Sequence, residues 1–197
     1  MAILDYTSRS LKGAFRLLRG DPQGLRDLDL TVAGFWISFL TIVLVLPFQA
    51  VLIMGERETA IATSAHSPDT FPTGALTVAR LAGFVLHWID YPIVIALLAP
   101  LLGFTRRYVP FIVALNWVAP IVMVPAILPS LLMSLGIIGV EAELMLSLVV
   151  MLALIWLQYV VTRVTLMTSV AISIGLVVLD IAVLLAADAM LDRLAGV

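Results

Sequence analysis

Two runs of this chain carry ionisable side chains where only apolar ones are expected. They are "VLHWIDYPIVIALLAP" (85–100), with His87, Asp90 and Tyr91, and "GLVVLDIAVLLA" (175–186), with Asp180. A charge at the centre of a bilayer costs about 2.5–3.5 kcal/mol on insertion scales, so such residues face a protein interior or water and have a partner. Arg80, Gly83, His87 and Asp90 follow one another at intervals of 3, 4 and 3 and share one helix face. From the end of that run at Leu102, a rise of about 1.5 Å per residue puts Asp90 at roughly 18 Å, His87 at roughly 22 Å and Arg80 at roughly 33 Å. Asp180, counted from Val164, stands at roughly 24 Å. These depths predict that Asp180 meets the His87/Asp90 face near the midplane, while Arg80 snorkels at the outer interface. Asn116 and Gln158, at roughly 10 and 7 Å from the inner surface, form a second matched pair.

Two chemistries suit the midplane set. Asp90, His87 and Asp180 are the residue types that carry protons or bind a cation in pumps and carriers. They are equally able to fix packing, as protonated carboxyls or through hydrogen bonds to Tyr91, His87 or backbone freed by Pro92. The packing reading is preferred, because no internal repeat of the kind seen in many transporters is visible. Catalysis is not expected. "HWID" is neither a His-Glu-x-x-His metal motif nor a phosphate loop, and no Gly-x-Ser-x-Gly occurs. With no cysteine and only His66 and His87 as histidines, neither a thiolate site nor a histidine metal cluster is expected, and no cofactor is implied.

The elements that must position these residues follow from composition. Hydrophobic residues fill 62% of 197 positions and charged residues 12%, more apolar surface than a soluble domain of this size hides. A ruler of about 20 apolar residues per span predicts an all-α integral membrane protein with five spans at 31–54, 75–102, 109–128, 143–162 and 164–190. Positions 31–197 are therefore one transmembrane domain. Residues 55–74 read as a polar, irregular outer loop. Pro110, Pro120, Pro125 and Pro129 predict a kinked third span, a break near Pro129 and a short outer helix over "SLLMSLGII".

Basic residues set the orientation. Arg9, Lys12, Arg16, Arg19, Arg26, Arg106, Arg107 and Arg163, eight of eleven, fall on one side of a five-span chain. The N-terminus is then cytoplasmic and the C-terminus outside, in a plasma or bacterial inner membrane. Residues 1–30 form a cytoplasmic segment in which "ILDYTSRSLKGAFRLLRG" has helical periodicity. Leu4, Leu11, Phe15 and Leu18 share a face beside a stripe of Arg9, Lys12, Arg16 and Arg19. An amphipathic interfacial helix is expected there, with the basic stripe reaching anionic lipid or a partner protein. Other membrane proteins or a second copy are possible partners. No nucleic-acid partner is expected.

The order of parts resembles the Yip family of five-span membrane proteins. The likeness is carried by "LRDLDLTVAGFW" (25–36) before the first span and "GFTRRYVPFIVALNW" (103–117) leading into the third. Asp27-Leu28-Asp29-Leu30 matches that family's Asp-Leu-rich stretch, and Ala33-Gly34-Phe35 stands where its Gly-Pro would be. The resemblance implies a cytoplasmic N-terminus, no catalysis, and a role in membrane organisation or in assembly with partner membrane proteins. A small transporter or transporter subunit, proton- or cation-coupled through His87, Asp90 and Asp180, is the alternative expectation.

Overall fold

The computed structural model describes residues 3–63 and 67–195. Its regular elements are α1 (Ile3–Leu18), α2 (Val32–Phe39), α3 (Ile42–Thr63), α4 (Thr73–Leu101), α5 (Tyr108–Ala126), α6 (Leu128–Ser134), α7 (Val140–Leu166) and α8 (Val170–Ala195), with short 3-10 turns at Pro22–Asp27 and Thr105–Arg107. Among the described residues there is no strand. Five stretches are long and apolar enough to cross a membrane: Val32–Thr63, Thr73–Leu101, Thr105–Ser134, Val140–Leu166 and Val170–Leu194. Long apolar side chains cover the bundle's outside, as expected where the surrounding solvent is lipid.

Several boundaries move, each for a local reason. The first span is two helices. Ser38 Oγ donates to Phe35 O and Thr41 Oγ1 to Ser38 O, at 2.7 Å each, closing the chain between α2 and α3. The expected outer loop shrinks because α3 runs on through the helix-forming "GERETAIAT" to Thr63. Residues 64–66, with His66, lie outside the described residues. The break after the third span falls at Ile127, and Pro129 sits in the first turn of α6, where its missing N–H has no helical acceptor to lose. The short helix therefore begins and ends earlier than expected. The turn expected at Arg163 forms instead at 167–169. There Met167 takes a left-handed φ of 51° and Ser169 Oγ accepts from Ile172 N at 3.2 Å. Pro92 does not interrupt α4, which is continuous from Thr73 to Leu101.

The N-terminal helix is docked on the bundle. Its buried residues are Ser10, Gly13, Ala14 and Leu17, which face α5 and α7, with Tyr6 edge-on to Trp117 at 5.8 Å. Of the apolar face expected from periodicity, Leu11 and Leu18 flank this core, while Leu4 (80%) and Phe15 (53%) are exposed. The small residues win because they allow closer approach. A Cβ on Gly13 would lie 2.7 Å from Gly24 O, and one on Gly24 would meet Leu17 and Arg16 at 3.0 and 3.1 Å. Arg16 then locks the turn to the helix, bonding Asp21 at 2.8 Å and Asp27 at 2.9 Å. The Gln23 N–H and the Arg16 guanidinium together hold the Asp21 carboxyl below its ordinary range.

This packing makes Gly24→Val a sensitive probe. Overfilling the helix–turn contact is expected to cost about 1–3 kcal/mol and to expose the Arg19 bond to trypsin. Unchanged thermal midpoint and cleavage rate in detergent would show that the close approach contributes nothing.

Candidate functional site

The site lies where α3, α4, α5, α7 and α8 fail to close against one another. They leave a cavity of about 440 Å³. Helix α4 contributes Arg80, Phe84, His87, Trp88 and Tyr91, positions that recur on one face of a helix. From α8 come Asp180, Leu184 and Asp188, from α7 Leu154 and Gln158, and from α5 Asn116.

At mid-height the imidazole of His87 lies between two carboxyls. Its Nε2 is 3.2 Å from Asp180 Oδ1 and its Nδ1 is 3.4 Å from Asp90 Oδ1, one helical turn along α4. Both pairs are at ion-pair distance yet outside hydrogen-bond alignment. His87 Nδ1, Asp90 Oδ1 and Asp180 Oδ1 have no hydrogen-bond partner among the described residues, and the same holds for Trp88 Nε1. Gln158 Nε2 donates to Asp180 Oδ2, so this carboxyl joins α4, α7 and α8. Tyr91 stacks at 6.0 Å from His87 and donates its hydroxyl proton to Leu176 O at 3.2 Å, a bond to backbone rather than to either carboxyl. Asp90 lies off the cavity wall, 33% exposed, and reaches the site only through His87.

The expected pairing of Asn116 with Gln158 does not occur. Asn116 Nδ2 donates to Ser38 Oγ at 2.9 Å, and Thr41 Oγ1 donates to Asn116 O at 2.9 Å. The α2–α3 joint has hydroxyls to satisfy and lies nearer to Asn116, so Gln158 is left for Asp180. "WISFLTI" carried the signal, since Ser38 and Thr41 three apart in an apolar run need acceptors.

Arg80 is not a free snorkelling side chain. Its guanidinium contacts Glu56 of α3 at 2.6 Å and Asp192 of α8 at 2.5 Å, and only 19% of the side chain is exposed. Asp188, in line with Asp180 and Asp192 on α8, points at Gly83, where a Cβ would lie 2.8 Å from its Oδ1. Glu56 also borders a second cavity, with Thr59, Ser130 and Glu143. Glu143 is 5% exposed and accepts from Ser147 Oγ at 2.9 Å and Thr59 Oγ1 at 3.4 Å. Arg80 thus borders the central cavity and its partner Glu56 a shallower, more open hollow. Reading the second span alone missed this layer, although "GERE" at 55–58 and the i, i+4 pair Asp188/Asp192 were visible.

Of the basic stripe, Arg9, Lys12 and Arg19 are exposed, whereas Arg16 is committed to Asp21 and Asp27. Among the described residues no group of three His, Cys, Asp or Glu side chains is placed to hold a metal ion. Neither a family model nor a curated protein nor a solved structure matches this chain.

Removing Arg80 leaves two carboxylates facing each other between three helices. Arg80→Gln is expected to destabilise the protein by about 1–3 kcal/mol, below the range for a fully buried pair because Glu56 is 41% exposed. Arg80→Lys should recover only part of this, since an ammonium cannot fork onto Glu56. Thermal unfolding in nanodiscs measures both, and an unchanged Arg80→Gln midpoint would refute the tie.

Proposed function

We propose that this chain is a non-enzymatic, proton-linked membrane carrier, acting alone or as a subunit of a larger transporter. One observation carries the reading: an intramembrane cavity whose wall holds His87 with a carboxyl beside each ring nitrogen. Imidazole accepts a proton at one nitrogen and releases one from the other, so it moves protons without a metal or redox step. At this site His87 Nδ1, Trp88 Nε1, Asp90 Oδ1 and Asp180 Oδ1 have no hydrogen-bond partner among the described residues, which leaves the imidazole and the two carboxyls able to exchange a proton. In this reading Asp180 is the carboxyl that exchanges protons with His87 inside the cavity, Gln158 positions Asp180, and Asp90 acts from the second nitrogen. The basic loops favour a cytoplasmic N-terminus and an outside C-terminus in a plasma or inner membrane.

Reconstituted vesicles with an imposed pH gradient and an internal pH dye test the reading. The wild-type protein should collapse the gradient well above the rate of empty vesicles. Asp180→Asn and His87→Gln should each slow it at least tenfold, with a smaller effect of Asp90→Asn. Wild-type flux equal to empty vesicles, or full flux in Asp180→Asn, would sink the proposal.

A second reading is membrane organisation or assembly with partner membrane proteins, as the resemblance to the Yip family implies. What favours it is α1, which leaves Leu4 and Phe15 exposed together with Arg9, Lys12 and Arg19. Apolar side chains beside basic ones suit an anionic headgroup layer. Because the chain lacks cysteine, a single spin label at Phe15→Cys reports depth directly. The label should be immersed in anionic bilayers and released when Arg9, Lys12 and Arg19 are changed to Gln. A label in water in both cases would remove α1 from the membrane surface.

A further inference from the structure

We infer that the central cavity binds a small amphipathic organic cation, its ammonium head beside Asp180 and its apolar body along the opposite wall. The inference rests on the carrier reading and names its substrate class. The first ground is size. About 440 Å³ falls within the range of small-molecule pockets and, at about 30 Å³ per water, would hold on the order of fifteen waters. Apolar walls supplied by Phe84, Val122, Leu154 and Leu184 offer that much water few hydrogen bonds. A bare metal ion fits no better, since the described residues place no three-ligand group. The space therefore suits an organic body with one polar end.

The sign of that end follows from the ionisable groups around it. Arg80 is the fixed cation on the wall, and Glu56 and Asp192 already bracket it. Asp180 and Asp188 remain on the same wall, with His87 next to Asp180. An anion entering here would meet two carboxyls and a guanidinium that is already paired. A cation would meet Asp180, whose Oδ1 has no hydrogen-bond partner among the described residues. It would also find the aromatic faces of Trp88 and Phe84, which attract cations through the ring quadrupole. His87 at 3.2 Å from the same oxygen makes the head group and the proton-handling pair share one carboxyl, so ligand binding and proton movement are coupled at Asp180.

Isothermal titration of the whole protein in nanodiscs tests the class with three probes of similar shape. Benzyltrimethylammonium should bind saturably, one per chain, at least tenfold more tightly than its neutral isostere neopentylbenzene or the anion benzenesulfonate. Asp180→Asn should weaken benzyltrimethylammonium about tenfold. Leu154→Trp, which fills the cavity from α7, should abolish binding while leaving Asp180 in place. If Asp180→Asn does not fold, the wild-type probe series and Leu154→Trp decide the matter. Equal binding of the neutral or anionic probe would overturn the cation class and leave the carrier reading intact. No saturable cation binding, or cation binding unaffected by Leu154→Trp, would overturn the site itself. Vesicle proton flux is read independently, so tight cation binding without flux would refute the carrier reading and not the ligand class.

Discussion

Lipid cannot solvate a polar side chain, and the arrangement of this bundle answers that constraint. An ionisable group within the spans gains most from a partner on another helix, and Arg80 and Asp180 become cross-ties in this way. The most polar helix faces, on α4 and α8, are therefore turned toward each other. The outside is left to leucine, valine, isoleucine and methionine.

Three polar layers result, and each joins different helices. Arg80 with Glu56 and Asp192 joins α3, α4 and α8 at the end where α4 starts and α8 finishes. Asp180 with His87 and Gln158 joins α4, α7 and α8 at mid-height. Asn116 with Ser38 and Thr41 joins α5 to the α2–α3 joint. The layers differ in completeness. The first and third pair their donors with acceptors, whereas the second keeps unpaired polar atoms beside an open cavity. Leaving buried polar groups unsatisfied is unfavourable by about 1–3 kcal/mol each, so an incompletely paired layer among complete ones is where function is best sought. A carrier needs such a place, because a carboxyl bound permanently to its neighbours has nothing to offer a proton or a ligand.

Much of this was legible in the residues. The apolar runs showed the number of spans, because 20-residue stretches with scarcely a charge have no other stable solvent. The helical count brought Asp180 to the level of His87 before any coordinates. Span ends were less legible, since hydropathy does not say where a hydroxyl or a left-handed residue closes a helix. Met167 and Ser169 moved one turn by several residues, and Ser38 with Thr41 split the first span. The face by which α1 docks on the bundle was not legible, for a related reason. Periodicity weighs leucine and phenylalanine, but Gly13 and Gly24 set how closely two backbones approach. Arg80 was assigned to water because its depth permitted snorkelling, and depth carries no information about which helix stands alongside.

The sequence by itself determined the solvent, the class of fold and the residues too costly to leave unpartnered, because hydrophobicity and charge are properties of each side chain alone. Which of those residues meet was decided only by tertiary packing. Asn116 and Gln158 stood close enough in depth to pair, and the rotation of the helices gave each a different partner. Asp90 and Asp188 show the same division. Asp90 looked central and lies off the wall, while Asp188, unremarked in its helix, faces the cavity. The cavity is the clearest case, for empty space belongs to no residue and exists only where five helices fail to touch.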